Sequence, residues 1–100
     1  MYAIVFDLDQ ESLSQTYHND SYKNAYGDIK KALESHGFTR QQGSVYFGDV
    51  AKVDAVSCVL AVMDLAKNNP WFEPSVKDIR MLRIEENNNL MPAVKKAVSR

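Results

Sequence analysis

The sequence has little of what secreted, membrane-spanning and zinc-binding domains require. Its 100 residues include one cysteine, Cys58, and two histidines, so no intrachain disulfide can form and no cysteine–histidine zinc pattern is present. No apolar run approaches the ~20 residues of a transmembrane helix. The N-terminal apolar stretch ends at Asp7 with no basic residue before it, unlike a signal peptide. We therefore expect a cytoplasmic protein that makes no membrane contact.

An excess of charge of one sign is also missing. Lysine and arginine number 12 against 13 aspartates and glutamates, for a formal net charge of -1. Such a chain has no global basic surface for nucleic acid, so a phosphate site must come from a local cluster. There is no P-loop or other glycine-rich phosphate motif. The length and the 45% apolar content fit one domain with a modest core.

Hydrophobic periodicity predicts six elements and a C-terminal extension. Residues 9–19 read as a polar loop, and Asn19 or Asp20 is the expected N-cap of the first helix. In the order strand, helix, strand, strand, helix, strand, the predicted elements are Tyr2–Leu8, Asp20–His36, Phe38–Gln41, Ser44–Phe47, Lys52–Asn68 and Asp78–Glu85. A short final helix is expected over Leu90–Ser99.

This order is that of the α+β split βαβ, or ferredoxin-like, fold. The second and third strands form a hairpin, and right-handed crossovers then give an antiparallel sheet of strand order 4-1-3-2. Both helices lie on one face of this sheet. We expect residues 1–86 to form the domain and residues 87–100 to be an extension packed on it.

The first strand ends in two carboxylates, Asp7 and Asp9. Alternation places Asp7 on the face without helices, together with Ala3 and Val5. Exposed apolar residues there would favour contact with a second subunit. Nearby carboxylates can bind a divalent cation or share a proton. The alternative is a solvated strand end with no chemical role.

The topology places other polar groups beside Asp7. The end of the first strand lies next to the beginnings of the third and fourth strands, which carry Ser44 and Arg80. Arg80 and Arg83 lie three positions apart and so point to opposite faces. Only one of them can face Asp7, and Arg80 is at the correct end. With Lys77 they supply cations suited to a phosphate, although charge that protects an edge strand explains them equally.

Aromatic and thiol side chains give further expectations. Tyr46 and Phe47 are adjacent, so at most one can stack a base on the sheet. We expect Phe47 to pack in the core and Tyr46 to be half exposed. Trp71 and Phe72 lie beside two prolines and are expected to close the core. Cys58 has apolar neighbours and is expected to be a small core residue.

Four segments, in this order, resemble the virulence-associated protein D (VapD) family: YAIVFDL, NAYGDIKKAL, GFTRQQGSVYFG and PWFEPSVKDIRMLRIEE. The resemblance implies a ferredoxin-like homodimer that acts as an endoribonuclease, described as the toxin of a toxin–antitoxin pair. The fold is shared with the small nuclease-like protein of the CRISPR spacer-integration complex. Asp7 matches an aspartate at the end of the family's first strand. Lys77 stands where arginine is expected in many relatives.

We expect cleavage of single-stranded RNA, with Asp7, Ser44 and Arg80 as catalytic residues. The resemblance indicates Asp7, and the topology of the predicted sheet adds Ser44 and Arg80. Asp7 is the candidate general base, or the candidate ligand of a divalent cation such as Mg²⁺. Arg80 would stabilise the phosphate charge, and Ser44 would bind a phosphate oxygen or orient Asp7. The expected RNA contacts are Tyr46, Lys77 and Arg83.

The expected partners are RNA, a second copy of the chain and a protein antitoxin. The alternative function is a non-catalytic dimeric module that binds RNA or the antitoxin with the same face of the sheet. The two functions differ in whether substitution of Asp7 stops cleavage or leaves intact RNA bound.

Overall fold

The computed structural model describes residues 1–18 and 21–99. Its strands are β1 (Tyr2–Leu8), β2 (Phe38–Gln42), β3 (Val45–Gly48) and β4 (Val76–Arg83). Its helices are α1 (Gln10–Thr16), α2 (Asn24–Glu34), α3 (Ala55–Asn68), α4 (Phe72–Ser75) and α5 (Met91–Val98). Among the described residues, no helix has the length and apolar character needed to cross a bilayer. The caps predicted at Asn19 or Asp20 lie outside the described residues.

The sheet has the strand order β2-β3-β1-β4, and all its pairings are antiparallel. This confirms the predicted order 4-1-3-2 and the ferredoxin-like α+β fold. β1 is central, and Val5 lies opposite Val45 on one side and Arg80 on the other. Since directly opposite residues of antiparallel strands share a face, this register decides which side chains meet around Asp7.

The core lies on the face that α2 and α3 cover. Ile4, Phe6 and Leu8 of β1 belong to one buried cluster with Ile29 of α2 and Leu65 of α3. Each large apolar side chain buried in this way contributes about 1.5–3 kcal/mol relative to exposure. The period of two in β1 therefore fixes this face as the inner one, as predicted.

We call the opposite side of the sheet, which carries Ala3, Val5 and Asp7 of β1, the open face. The prediction that Ala3 and Val5 are exposed there is wrong. Ala3 is only 1% exposed because it lies between the larger Phe47 and Leu82 of the neighbouring strands, and Val5 is half-buried. The exposed apolar residue of this row is Leu82, at 46%.

Residues 10–16 form a helix where the sequence predicted a polar loop. Asp9 is its N-cap: the Ser12 backbone N–H donates to Asp9 Oδ1 at 3.1 Å, and the Leu13 N–H donates to the Asp9 carbonyl oxygen at 2.9 Å. Leu13 is the buried residue of α1, so the segment lacks the repeated apolar positions that predict a helix. The reading of Asp9 as a loop carboxylate is corrected accordingly.

The second half of the core is as predicted. α3 follows Asp54, whose side chain accepts a hydrogen bond from the Ser57 N–H at 2.8 Å. Trp71 and Phe72 are 4% and 2% exposed and close the core around the short helix α4. Cys58 is buried, and this burial raises the pKa of its thiol. The predicted core positions of all three side chains are confirmed.

In the hairpin of β2 and β3, Tyr46 and Phe47 have the opposite positions to those predicted. Tyr46 lies opposite Ile4 and is 1% exposed, and its ring stacks on Phe6 with centroids 6.1 Å apart. Phe47 lies opposite Ala3 on the open face and is half-buried. The prediction was wrong because adjacent residues always alternate, and only the register against β1 decides which of them enters the core.

The C-terminal segment forms the predicted helix α5, with Pro92 in its first turn. However, no residue of α5 is buried, and residues 85–99 are all exposed. The predicted packing of residues 87–100 on the domain therefore differs from the structure. The radius of gyration of 15.7 Å exceeds the about 13 Å of a compact 100-residue domain, which fits a helix that extends from the body.

Candidate active site

Asp7 lies near the end of β1 on the open face, and its side chain is exposed. It stands directly opposite Asp78, and the pairing of β1 with β4 becomes irregular between Asp7 and Leu8. Opposed carboxylates repel each other, so this pair favours the approach of a cation or a hydrogen-bond donor. Within residues 1–18 and 21–99, no hydrogen bond or ion pair engages the Asp7 carboxylate. It is accessible to a substrate.

Arg80 lies on the same face, in the adjacent cross-strand row opposite Val5. Its Nε donates to both carboxylate oxygens of Asp78, each at 3.1 Å. The side chains of Arg80 and Asp78 are 69% and 53% exposed, and exposed pairs of this kind contribute about 1 kcal/mol or less. The terminal guanidinium nitrogens make no hydrogen bond to the described residues. These two nitrogens form a fork that can bind a phosphate through two parallel hydrogen bonds.

The backbone of Ser44 lies at the same end of the sheet as Asp7, but the side chains of the two residues do not share a face. Its carbonyl oxygen accepts a hydrogen bond from the Phe6 N–H at 3.1 Å. Continuing the β1–β3 register one residue beyond Val5 and Val45 sets Ser44 opposite Phe6, which belongs to the core face. Among the described residues, the Ser44 hydroxyl makes no hydrogen bond to Asp7. The topology thus brings Ser44 to the predicted end of the sheet, and its catalytic role stays a prediction.

Lys77 is at the same end of the sheet as Asp7. It lies where the register changes, between Val76, which pairs with Leu8, and Asp78, which pairs with Asp7. Its side chain is exposed. Because an irregular position of this kind departs from strict alternation, the sequence pattern alone does not tell which face Lys77 serves. Its contact with RNA stays a prediction.

The other two predicted RNA contacts lie away from Asp7. Arg83 is opposite Tyr2 at the far end of β1, about 16 Å along the strand by its rise per residue, and its Nε lies 3.4 Å from Glu85 Oε1. Tyr46 is enclosed in the core, where burial raises the pKa of its hydroxyl. Its predicted base stacking is corrected, since a ring packed between strand and helices presents no face to a base.

Two open-face residues were not assigned to the site from the sequence. Asp78 follows from the register, because an antiparallel pairing of Val5 with Arg80 necessarily sets Asp7 against Asp78. Phe47 is the aromatic residue that the open face does present, about 13 Å along β1 from Asp7 by strand geometry. An aromatic ring on a sheet is suited to stacking an unpaired RNA base. In both cases the sequence pattern does not show which residues of neighbouring strands lie opposite each other, and this register decides where the two side chains are.

The donors at this end of the sheet allow a test of the predicted divalent cation. Asp9 is engaged as the cap of α1, which leaves Asp7 and Asp78 as the opposed carboxylates. The described part of the chain contains no group of three or more side chains placed to hold a metal ion. Mg²⁺ commonly uses one or two carboxylates together with substrate phosphates and water. Asp7 and Asp78 fit such a site only when a phosphate completes it.

Comparison with known proteins places these residues in a family. Residues 1–91 match the family described as CRISPR associated protein Cas2. Endoribonuclease VapD 2 of Riemerella anatipestifer is 53% identical over 94 residues, which cover 94% of this chain and 99% of that protein. An endoribonuclease VapD homolog of Helicobacter pylori is 56% identical over 95 residues, covering 95% and 97%.

A more distant relative is similar over most of its length as well. Endoribonuclease VapD of Haemophilus influenzae is 36% identical over 86 residues, which cover 86% of this chain and 89% of that protein. The range matched to the Cas2 family includes all four strands of the sheet. Asp7, Asp78 and Arg80 therefore all lie within the part of the chain that the family shares.

Proposed function

Since this chain belongs to the Cas2 family and to the endoribonucleases named VapD, we propose that it is an endoribonuclease that cuts single-stranded RNA with Asp7 and Arg80. One observation supports this most directly: the β1–β4 register sets Asp7 and Arg80 in adjacent rows of one exposed face. A carboxylate that can accept a proton and a guanidinium that can hold a phosphate are two groups that phosphodiester cleavage uses.

The proposed step begins at the ribose 2′-hydroxyl. The Asp7 carboxylate accepts the hydroxyl proton while the 2′ oxygen attacks the adjacent phosphorus. The bond from phosphorus to the 5′ oxygen breaks, and that oxygen takes a proton from water. The products are a 2′,3′-cyclic phosphate and a 5′-hydroxyl end. Because DNA lacks the 2′-hydroxyl, this step is specific for RNA.

In the proposed step, Arg80 and Asp78 have separate roles. The terminal nitrogens of Arg80 would donate to the non-bridging phosphate oxygens, whose negative charge grows in the transition state. Asp78 holds Arg80 through Nε and acts as a positioning residue. A bound Mg²⁺ held by Asp7 and Asp78 would supply charge neutralisation at the same phosphate.

The local charge predicts the strength of RNA binding. Asp7 and Asp78 balance Arg80 and Lys77 at this end of the sheet, and the whole chain carries a net charge of -1. Few phosphates are then neutralised, and the loss of affinity with salt is shallow, because its slope follows the number of phosphate contacts. Binding should be weak.

The experiment compares wild type, Asp7→Asn and Asp9→Asn on end-labelled single-stranded RNA. Removal of a general base lowers rates by about 10²–10⁴-fold, so we expect Asp7→Asn to lose at least about 100-fold. Asp9→Asn is the matched control, because asparagine caps a helix as well as aspartate does and this carboxylate is engaged in α1. Full activity in Asp7→Asn would overturn the proposal.

The same assay separates the alternative functions. Retarded but intact RNA with wild type would indicate a binding module that does not cleave. Cleavage that stops on addition of a chelator would assign Asp7 to a divalent cation, whereas cleavage that continues would assign it to proton transfer. A DNA strand of the same sequence should remain intact under all conditions.

The resemblance to VapD also supports a proposal about the role of this protein in the cell. We place the protein in the cytoplasm, as a homodimer and as the toxin of a toxin–antitoxin pair with a protein antitoxin. Induced expression of wild type should then arrest growth, and Asp7→Asn should not. Arrest by both variants would show that growth inhibition does not depend on RNA cleavage.

A further inference from the structure

The strand β4 carries one residue more than β1 at the end of the sheet where Asp7 lies. Asp7 pairs with Asp78. The next residue of β1, Leu8, pairs with Val76, so Lys77 has no partner on β1. One extra residue opposite a continuous strand is a β-bulge, which re-aims a side chain and is over-represented beside active sites. Lys77 is therefore the bulged residue of the candidate site.

The bulge removes Lys77 from the core side of the sheet. Ile79 lies opposite Phe6 on the core face, so strict alternation would put Lys77 on that face as well. Its partner there would be Leu8, which is 5% exposed, and an unpaired ammonium beside it would be strongly destabilising. The bulge sets Val76 opposite Leu8 instead, packed against the core. Lys77 is exposed as a result.

The backbone on both sides of the bulge is fixed. Ser75 is 0% exposed, and its carbonyl oxygen accepts a hydrogen bond from the Asp9 N–H at 2.7 Å. The Ser75 hydroxyl donates to the Trp71 carbonyl oxygen, also at 2.7 Å. On the other side, Asp78 is held by its pairing with β1. The fold therefore sets the backbone position of Lys77 from both directions.

Lys77 and Arg80 flank the row of Asp7 and Asp78. Along β4, Lys77 comes one residue before Asp78 and Arg80 two residues after it. Arg80 is engaged with Asp78 through Nε, whereas no hydrogen bond or ion pair engages the Lys77 ammonium in the described part of the chain. A lysine ammonium is a compact charge on a flexible four-carbon stem. This end of the sheet thus holds one positioned cation and one that is available to a substrate.

We propose that Lys77 is the catalytic residue that stabilises the departing 5′ oxygen, an assignment that rests on the proposed endoribonuclease function. In that step, Asp7 serves the 2′-hydroxyl and Arg80 the non-bridging phosphate oxygens, so the departing oxygen still needs a partner. As its bond to phosphorus breaks, this oxygen gains negative charge and accepts a hydrogen bond from the Lys77 ammonium. Water then supplies the proton, and Lys77 keeps its own. A cation placed where charge develops lowers the barrier.

The test replaces the departing oxygen by sulfur. An RNA with sulfur as the 5′ bridging atom, at a bond that wild type cuts, releases a thiolate, which is a good leaving group and needs little stabilisation. Wild type, Lys77→Ala and Lys77→Arg are compared on the oxygen and sulfur forms of one strand, with enzyme-free samples as background. Lys30→Ala, at an exposed position of α2, is the matched control for the loss of one positive charge. Circular dichroism checks that each variant is folded.

The assignment predicts a loss that depends on the leaving atom. Lys77→Ala should cut the oxygen form about 100-fold more slowly than wild type, as removal of one such donor usually does. Its loss on the sulfur form should be at least about tenfold smaller. Lys77→Arg retains a cation and should lose less than Lys77→Ala on the oxygen form. Lys30→Ala should cut both forms as wild type does.

The contrary outcomes are distinct. Equal losses of Lys77→Ala on both forms would mean that Lys77 only binds RNA or supports the fold, and would overturn the assignment alone. No loss on either form, or equal losses in Lys77→Arg and Lys77→Ala on the oxygen form, would overturn it as well. Wild type that cuts neither form would overturn the proposed function and this assignment with it.

Discussion

Single residues show most directly how neighbours decide the role of a side chain. Asp7 and Asp9 are both aspartates and lie two positions apart. Asp9 caps α1, whereas the carboxylate of Asp7 lies exposed on the open face. A helix N-terminus supplies backbone N–H donors that fix a carboxylate, whereas an exposed strand end supplies none. The difference makes Asp7 the chemical candidate and Asp9 its structural control.

Two glycines give a stability prediction at this scale. A Cβ at Gly48 would lie 2.6 Å from Val53 Cγ1 and 2.8 Å from Val53 Cβ, so the branched side chain or the strand must shift. We expect Gly48→Ala to lower the free energy of unfolding by about 1–3 kcal/mol, the usual cost of overpacking. Urea denaturation measures this change.

Gly27 is the matched control for that substitution. It lies within α2, and a Cβ there would meet nothing within 4 Å. Gly27→Ala should raise the free energy of unfolding by about 0.5–1 kcal/mol, because alanine favours the helical backbone. Equal shifts of the urea midpoint in both variants would contradict the role assigned to Val53.

At the scale of elements, an ion pair joins the end of α2 to α3. His36 Nε2 lies 2.8 Å from Asp64 Oδ2, and the Asn68 amide donates to Asp64 Oδ1 at 2.8 Å. The hydrogen bond from His36 lowers the pKa of Asp64 below its ordinary value, with the charge of His36 and the amide of Asn68 adding to the effect. The contact therefore depends on an ionised Asp64.

The sign of the pH dependence follows from this lowered pKa. The unfolded chain binds a proton at Asp64 more readily than the folded chain, so the stabilisation is complete above a pH of about 4, the ordinary aspartate pKa. It is lost as pH falls through the lower pKa of the folded state. Thermal unfolding of wild type between pH 6 and pH 3 should show a steeper loss than Asp64→Asn. If wild type and Asp64→Asn lose stability equally as the pH falls, Asp64 does not supply this pH-dependent stabilisation.

The helices also differ in how far the sequence predicts them. α2 and α3 repeat apolar residues over several turns, so their existence follows from periodicity. α1 is short and has Leu13 as its buried residue, and its helical state depends on the Asp9 cap and on packing against α4. Short polar segments of this kind take their structure from tertiary contacts rather than from their own pattern.

At the scale of the whole molecule, the open face grades from apolar to charged. The row of Phe47, Ala3 and Leu82 is apolar, and the row of Asp7 and Asp78 is charged. The proposed homodimer would use the apolar row as its contact and leave the charged row for RNA. This arrangement would place two copies of Asp7 on one composite surface.

A charge placed in the apolar row tests that contact. Leu82 is 46% exposed, and Leu82→Glu would put a carboxylate into the contact. We expect the dimer dissociation constant to rise about 10–100-fold, because burial of an apolar side chain contributes about 1.5–3 kcal/mol. Sedimentation equilibrium measures it. Val50→Glu, at a position 75% exposed outside the sheet, is the control, and equal weakening by both changes would exclude this row as the contact.

The sequence by itself determined the strand order, the central place of β1 and the inward side of Ile4 and Phe6, because apolar periodicity and chain handedness act locally. It also brought Asp7, Ser44 and Arg80 to one end of the sheet. Only the tertiary structure decided the opposition of Asp7 and Asp78, the burial of Tyr46 in place of Phe47, and the exposure of α5. Alternation along a strand puts adjacent residues on opposite faces of the sheet. Only the register against the partner strand decides which of the two adjacent residues enters the core.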